Sequence, residues 1–167
     1  MAWIGGIARW LHIFFGVMWI GLLYYFNFVQ AQALAQANAE GIGQGITKYV
    51  LPRALFFFRW AAVVTWIMGA ILLESLASGG FGKAFTFQPP FTAIGVGAWL
   101  GTIMLINVWT FIWQNQKKVL GITPATDEEK AKARRIAFLA SRVNTMLSIP
   151  MLFFMAAGFT HKALFGL

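Results

Sequence analysis

Apolar residues fall into four long stretches separated by short polar segments. The stretches lie at about 7–29, 54–76, 92–113 and 137–161. Each reaches the roughly 20 residues a helix needs to cross a bilayer. The pattern predicts an all-α protein: one transmembrane domain, 1–167, folded as an up-down-up-down four-helix bundle. The punctuation agrees with this division. QAQALAQANAE, after Val29, is rich in good helix formers and ends at Gly41, a helix stop. Pro52 precedes the second span and Pro89–Pro90 the third. Thr126 with Glu129 has the form of a capping box, and the helix it starts should run through Arg134 and Arg135 into the fourth span. Pro150, inside that span, should kink it and free the Met146 carbonyl.

Composition strengthens the membrane reading. Hydrophobic residues make up 59% and charged residues 11%, where a soluble domain carries roughly 25% charged. The 17 Phe and 8 Trp suit a lipid-facing surface with aromatic ends. The net charge of +8 comes from bases grouped between the spans. Lys117, Lys118, Lys130, Lys132, Arg134 and Arg135 follow the third span, and Lys48 and Arg53 follow the first. Only Arg9, Lys83 and Lys162 fall on the other side. By the positive-inside rule the first and third loops are cytoplasmic and both termini face outside. Topology thus accounts for the basic charge, and no nucleic-acid role is expected. The first apolar run is too long for a signal-peptide core and reads as a retained span. There is no cysteine, which excludes disulfides, thiolate metal sites and covalent c-type haem within these residues.

Candidate chemistry centres on two histidines, His12 and His161. His12 lies about a turn into the first span, and His161 at the outer end of the fourth. Topology brings both to the outer leaflet, where neutral imidazoles are the usual axial ligands of b-type haem iron. Gly16, Gly69, Gly97, Gly101 and Gly158 fall in the outer halves of their spans, where they can clear a flat slot for a porphyrin. Arg9, one turn before His12, can pair with a propionate. The candidate haem b site is therefore His12, His161, Arg9, Gly16, Gly97 and Gly101. Simpler readings stand beside it: an interfacial histidine, a small-xxx-small packing pair, or a single axial His opposite Met155, Met151, water or another chain. At the cytoplasmic end, Arg59, Arg142, Asn27, Asn107, Trp109, Trp113, Asn115, Gln116 and Asn144 share one depth. They read as inter-helix hydrogen bonds and snorkelling arginines, or as a pocket for a small planar or anionic ligand. Glu74 either relays protons or reaches the interface. Nucleophile-elbow, P-loop and zincin signatures are missing.

Three strings carry a family resemblance: RWLHIFFGVMWIGLLYYFNFVQ from Arg9, NVWTFIWQNQKKVLG from Asn107 and SRVNTMLSIPMLFFMAA from Ser141. Together they resemble the membrane domain of bacterial cytochrome-linked urate oxidases of the urate hydroxylase type. The first string is more distantly similar to the small membrane protoporphyrinogen oxidases, which are haem b proteins, and to copper-resistance membrane proteins. The resemblance implies a multi-pass protein of the bacterial inner membrane, with haem at His12. It also implies redox partners: cytochrome c, or a larger membrane complex in which the chain is an oligomer or subunit. One departure is Trp113-Gln114-Asn115-Gln116 in place of the family's Trp-Pro-x-Gln.

Three functions follow as expectations. The first is a membrane b-type haem protein that carries electrons as a module or subunit of a redox complex. The second is a membrane oxidase of a small heteroaromatic such as urate. The third is a non-redox accessory subunit.

Overall fold

The structure is a computed structural model that describes the backbone of residues 2–160 and the side chains of 3–156. Among the described residues it is all helix, without strands. The first span is α1 (Ala2–Tyr24), a π-helical turn (Tyr25–Gln30) and α2 (Ala31–Ala39) in unbroken succession. The second is a π-helical turn (Ile46–Val50) and α3 (Leu51–Leu76). A short helix, α4 (Gly80–Phe85), lies in the outer loop. The third span is α5 (Thr92–Asn107), a π-helical turn (Val108–Ile112) and α6 (Trp113–Val119), and the fourth is the single long α7 (Asp127–Thr160).

All four spans are long and apolar enough to cross a membrane, at 37, 31, 28 and 30 residues. Their outward faces carry Trp10, Val17, Phe57, Ile106, Met146 and Ile149, all exposed. Such an outside suits hydrocarbon as solvent, where helices bond their backbone polar groups internally. This is a multi-pass membrane protein.

Helix ends follow the local chemistry. α2 closes in a Schellman motif: Gly41 has φ +78°, Ile42 N donates to Ala37 O at 2.8 Å and Gly41 N to Asn38 O at 3.2 Å. The same motif ends α6 at Gly121, which has φ +74°. Thr126 and Glu129 form the reciprocal capping box: Thr126 N donates to Glu129 Oε2 at 2.8 Å and Glu129 N to Thr126 Oγ1 at 3.2 Å. α7 then runs through Pro150 as one helix.

Several boundaries differ from expectation. The second span starts at Ile46, and Pro52 is the second residue of α3. The third span continues to Val119, because WQNQKKV extends its helix past the apolar stretch, whereas the fourth begins at its cap and runs through Arg134 and Arg135 as expected. α4 was not expected. The Glu74 carboxylate holds its start, accepting from Gly79 N at 2.8 Å and Phe81 N at 3.4 Å, so Glu74 serves a structural end.

The bundle consists of two tight antiparallel pairs. α1 packs chiefly on α3 and α5 on α7, while contacts between the pairs, α1 with α7 and α3 with α5, are slighter. At mid-depth the pairs close on a fully buried layer of Leu23, Phe58, Met104, Val108, Asn144 and Ser148. Polar side chains stitch this layer. Asn144 Nδ2 donates to Met104 O at 3.1 Å, and Asn107 Nδ2 donates to Asn144 Oδ1 at 2.7 Å and Ala140 O at 2.8 Å. Ser148 spends its proton on Thr145 O, so Tyr24 donates to Ser148 Oγ at 3.0 Å and ties α1 to α7. Above and below this layer the pairs part, leaving one cavity towards the His12 end and one towards the basic end.

Candidate functional site

The cavity at the His12 end measures about 780 Å³. That lies within the roughly 300–1,000 Å³ of cofactor and ligand pockets. Its walls are almost wholly apolar: Ile13, Ile20, Leu73, Ile94, Ala98 and Met151 from the four spans, and Phe81 and Phe85 from α4. The few polar groups are placed by helix register. Arg9, His12 and Gly16 follow one another on α1 at helical spacing, and all three line the cavity.

His12 is held by a contact from the second span. Its Nδ1 lies 2.8 Å from the Thr65 backbone oxygen. A carbonyl only accepts, so Nδ1 carries the proton and Nε2 keeps its lone pair. Nε2 makes no hydrogen bond among the described residues. The approach depends on Gly69. In an α-helix the carbonyl of residue i points towards residue i+4, so an imidazole on Thr65 O lies over residue 69. A Cβ there would stand 2.9 Å from both Nδ1 and Cε1 of His12. Only glycine leaves that space. A backbone carbonyl bonded to one ring nitrogen is the arrangement that presents the other to a metal.

The other glycines divide by role. Gly16 faces Thr65 Cγ2, which would lie 3.7 Å from an added Cβ, and lines the cavity. Gly101 also lines it, with nothing within 4 Å of an added Cβ. Gly97 is turned to α7, where a Cβ would stand 3.2 Å from Met155 N and Cγ. It sets the α5–α7 approach and does not line the cavity. Met151 and Met155 reach the cavity from α7. His161 and Lys162 lie outside the described residues, one and two positions beyond the last described turn of α7. Gly158 lies beyond the described side chains.

The residues fit a porphyrin in three ways. The cavity has the volume and the apolar lining. One imidazole nitrogen is tautomerically fixed as a lone-pair donor. The indole Nε1 of Trp19, 2% exposed and lining the same cavity, is a buried donor without a protein partner. No cluster of three or more His, Cys, Asp or Glu side chains occurs among the described residues. A porphyrin brings its own four equatorial nitrogens and asks the chain only for axial ligands.

Sequence reading missed Thr65 and left Gly69 outside the site. Thr65 acts through its backbone, which no side-chain pattern reveals. The weak available signal was a lone glycine in the apolar second span at the depth of His12.

At the basic end the residues grouped by depth separate. Asn107 and Asn144 belong to the central hydrogen bonds, and Asn115 Nδ2 turns back to Phe111 O at 2.8 Å. Arg59 stacks over the Trp113 ring at 3.8 Å, and Trp109 meets Trp60 edge-on at 5.5 Å. Arg142 is exposed, 5.4 Å from the Phe138 ring centroid. Asn27 and Gln116 line the second cavity, of about 950 Å³, with Gln30, Lys48 and Arg134.

The fold defines a helical membrane protein with a cavity towards each end of the bundle. Residues 76–164, just over half of the chain, match the family described as urate oxidase N-terminal. The chain belongs to that family. The matched stretch holds the third and fourth spans, so both cavities are walled partly by it and partly by the first two spans. No curated protein and no solved structure matches the chain.

Proposed function

We propose that the chain is a membrane b-type haem protein that carries electrons, as a module or subunit of a redox complex. The observation that carries this is His12: its Nδ1–H is committed to the Thr65 carbonyl and its Nε2 lone pair is free at an apolar 780 Å³ cavity. Haem supplies one-electron exchange between ferric and ferrous iron. His12 would hold the iron from α1, and Gly16 and Gly101 would leave room for the macrocycle. Arg9 would offset propionate charge, and Trp19 Nε1–H would find an acceptor. His161 is the proposed second ligand, with Met155 or Met151 of α7 as the alternative. The apolar wall would give the group a hydrophobic surround, which tunes redox potential. By the basic-loop asymmetry the site faces outside, where cytochrome c is a fitting partner.

The test is the reduced-minus-oxidised absorption spectrum of the detergent-purified protein. A b-type α-band that His12→Ala removes is expected. A stable, correctly folded and colourless protein overturns the reading.

A second reading is favoured by family membership: a membrane oxidase of a small heteroaromatic such as urate. Acceptor reduction that depends on added purine supports it. Reduction indifferent to purine counts against it.

A further inference from the structure

We propose that the cavity at the basic end binds a phosphate ester that carries free hydroxyl groups, of the glycerophosphate type. The same group occurs at the head of a phospholipid and as a free solute. The site depends on neither redox reading.

The cavity lies at headgroup depth. Asn27 and Gln30 stand at the end of the first apolar stretch, Lys48 and Pro52 precede the second, and Arg134 precedes the fourth; all five line the cavity. Apolar stretches end about where the hydrocarbon of a bilayer ends. Bases between helices at that depth on the basic side attract the phosphate of lipid headgroups. Lys48 and Arg134 supply that charge, and no carboxylate lines the cavity. The Lys130–Asp127 salt bridge involves neither base. Both bases are exposed, so their charge stands at the mouth, whereas Gln30 is 6% exposed.

Three side-chain amides in the wall set the rest of the ligand. Asn27 Nδ2 donates to Leu23 O and to Ser141 Oγ, at 2.8 Å each. The Leu23 carbonyl only accepts, which fixes the amide and leaves Oδ1 as a buried acceptor without a protein partner. Gln30 Oε1 and Gln116 Oε1 are also buried without partners, and both residues line the cavity. Buried polar atoms without partners are uncommon in native proteins, and each calls for an explanation. A glutamine amide turned half a circle presents NH₂ in place of oxygen. Asn27 therefore requires a donor, and the glutamines suit a group that donates and accepts. Hydroxyl groups do both. A simple anion such as inorganic phosphate ester without hydroxyls leaves Asn27 unsatisfied. On the apolar side, Phe26, Leu34, Leu51 and Leu55 suit the glyceride portion of a lipid.

The backbone supports the same conclusion. Each of the three π-helical turns contributes to this wall: Asn27 and Gln30 from the first, Thr47 and Lys48 from the second, Ile112 from the third. A π-turn inserts an extra residue into a helix and re-aims the side chains around it, and such turns concentrate at functional sites. None of the three lines the His12 cavity.

The experiment is calorimetric titration of the full chain at neutral pH in an amine-oxide detergent, which has no hydroxyl groups of its own. Dihexanoyl phosphatidylglycerol is the lipid probe, and dihexanoyl phosphatidylmethanol, the same charge without hydroxyls, is its control. Glycerol phosphate is the free probe, with methyl phosphate as control. Saturable binding of a hydroxyl-bearing probe, at least about tenfold tighter than its control, is expected. Phosphatidylglycerol tighter than glycerol phosphate supports the site and assigns it to a lipid headgroup. Glycerol phosphate equal or tighter supports the site and assigns it to a free ester. Gln30→Leu should weaken the hydroxyl-bearing probe by about tenfold or more, leave its control unchanged and hold or raise the melting temperature, because it removes an unpartnered buried polar atom. Gln116→Leu repeats the test if Gln30→Leu fails to fold. Arg134→Gln should weaken probe and control alike, because it removes charge that both use. An absence of saturable binding by both hydroxyl-bearing probes overturns the proposal. Equal binding of probes and controls also overturns it, as does a preference for hydroxyls that survives both leucine variants.

Discussion

The two cavities occupy opposite ends of one bundle and are built on opposite plans. At the His12 end the wall is apolar, and its polar exceptions are an oriented imidazole, an arginine and an unpartnered indole N–H. At the other end three amide oxygens and two bases stand around a cavity with a mixed wall. His12 and Gln30 are 18 residues apart on one nearly continuous helix, about 27 Å at 1.5 Å per residue. The layer of Leu23, Phe58, Met104 and Asn144 separates them. The lesson is that helix pairing creates the spaces, while the side chains at each depth decide what they suit. Two tight pairs joined by slighter contacts open at both ends, whatever lines the openings.

The comparison breaks most sharply at His12. His12→Ala should abolish any b-type absorption while the protein still folds in detergent. Gly101→Leu comes next. Nothing lies within 4 Å of an added Cβ, so the larger side chain enters cavity space rather than colliding with a helix. Loss of any b-type absorption from a protein that still folds is expected, read by visible absorbance per protein and by thermal denaturation in detergent. Gly69→Ala should have a smaller effect of the same kind. Its methyl group would displace the imidazole from the Thr65 carbonyl, giving lower haem occupancy or a shifted spectrum rather than a colourless protein.

The layer between the cavities offers a test of their independence. Asn144→Ala removes buried hydrogen bonds to α5 and should cost about 1–2 kcal/mol, read as a lower unfolding midpoint. Any b-type absorption should survive it at low temperature. The smallest effect is at the charged start of α7, outside the apolar stretch. Bonds from the Thr126 backbone and hydroxyl hold the Glu129 carboxyl below its ordinary range. A depressed acid stabilises the folded helix at pH above its unfolded value, roughly 4.3, and loses that contribution as pH falls through the lower folded value. Amide exchange in the first turn of α7 should therefore quicken in acid. Thr126→Ala should give that faster exchange already at neutral pH, without touching either cavity.

How much was legible beforehand varies with the range of the interaction. The capping box at Thr126 and the stop at Gly41 were readable because both close within a few residues. α4 was not, because its start is held by Glu74 across a turn and its residues GFGKAF carry no periodic signal. The glycines show the limit well. Gly97 and Gly101 lie one turn apart and look alike in sequence, yet one packs α7 and the other opens a cavity. Gln30 was read only as the first residue of the polar helix QAQALAQANAE; its burial comes from the tertiary fold.

The sequence alone determined the four membrane spans, the basic end and the presence of His12 in the first span. Spans and charge asymmetry are properties of composition along the chain, and bilayer thickness converts them directly into helices. Only the tertiary structure decided what those residues could do. It brought the Thr65 carbonyl to an imidazole 53 positions away, over Gly69, where no side chain intervenes, and it buried three amide oxygens that lie apart in sequence. These depend on how two helix pairs face each other, and no local pattern encodes that.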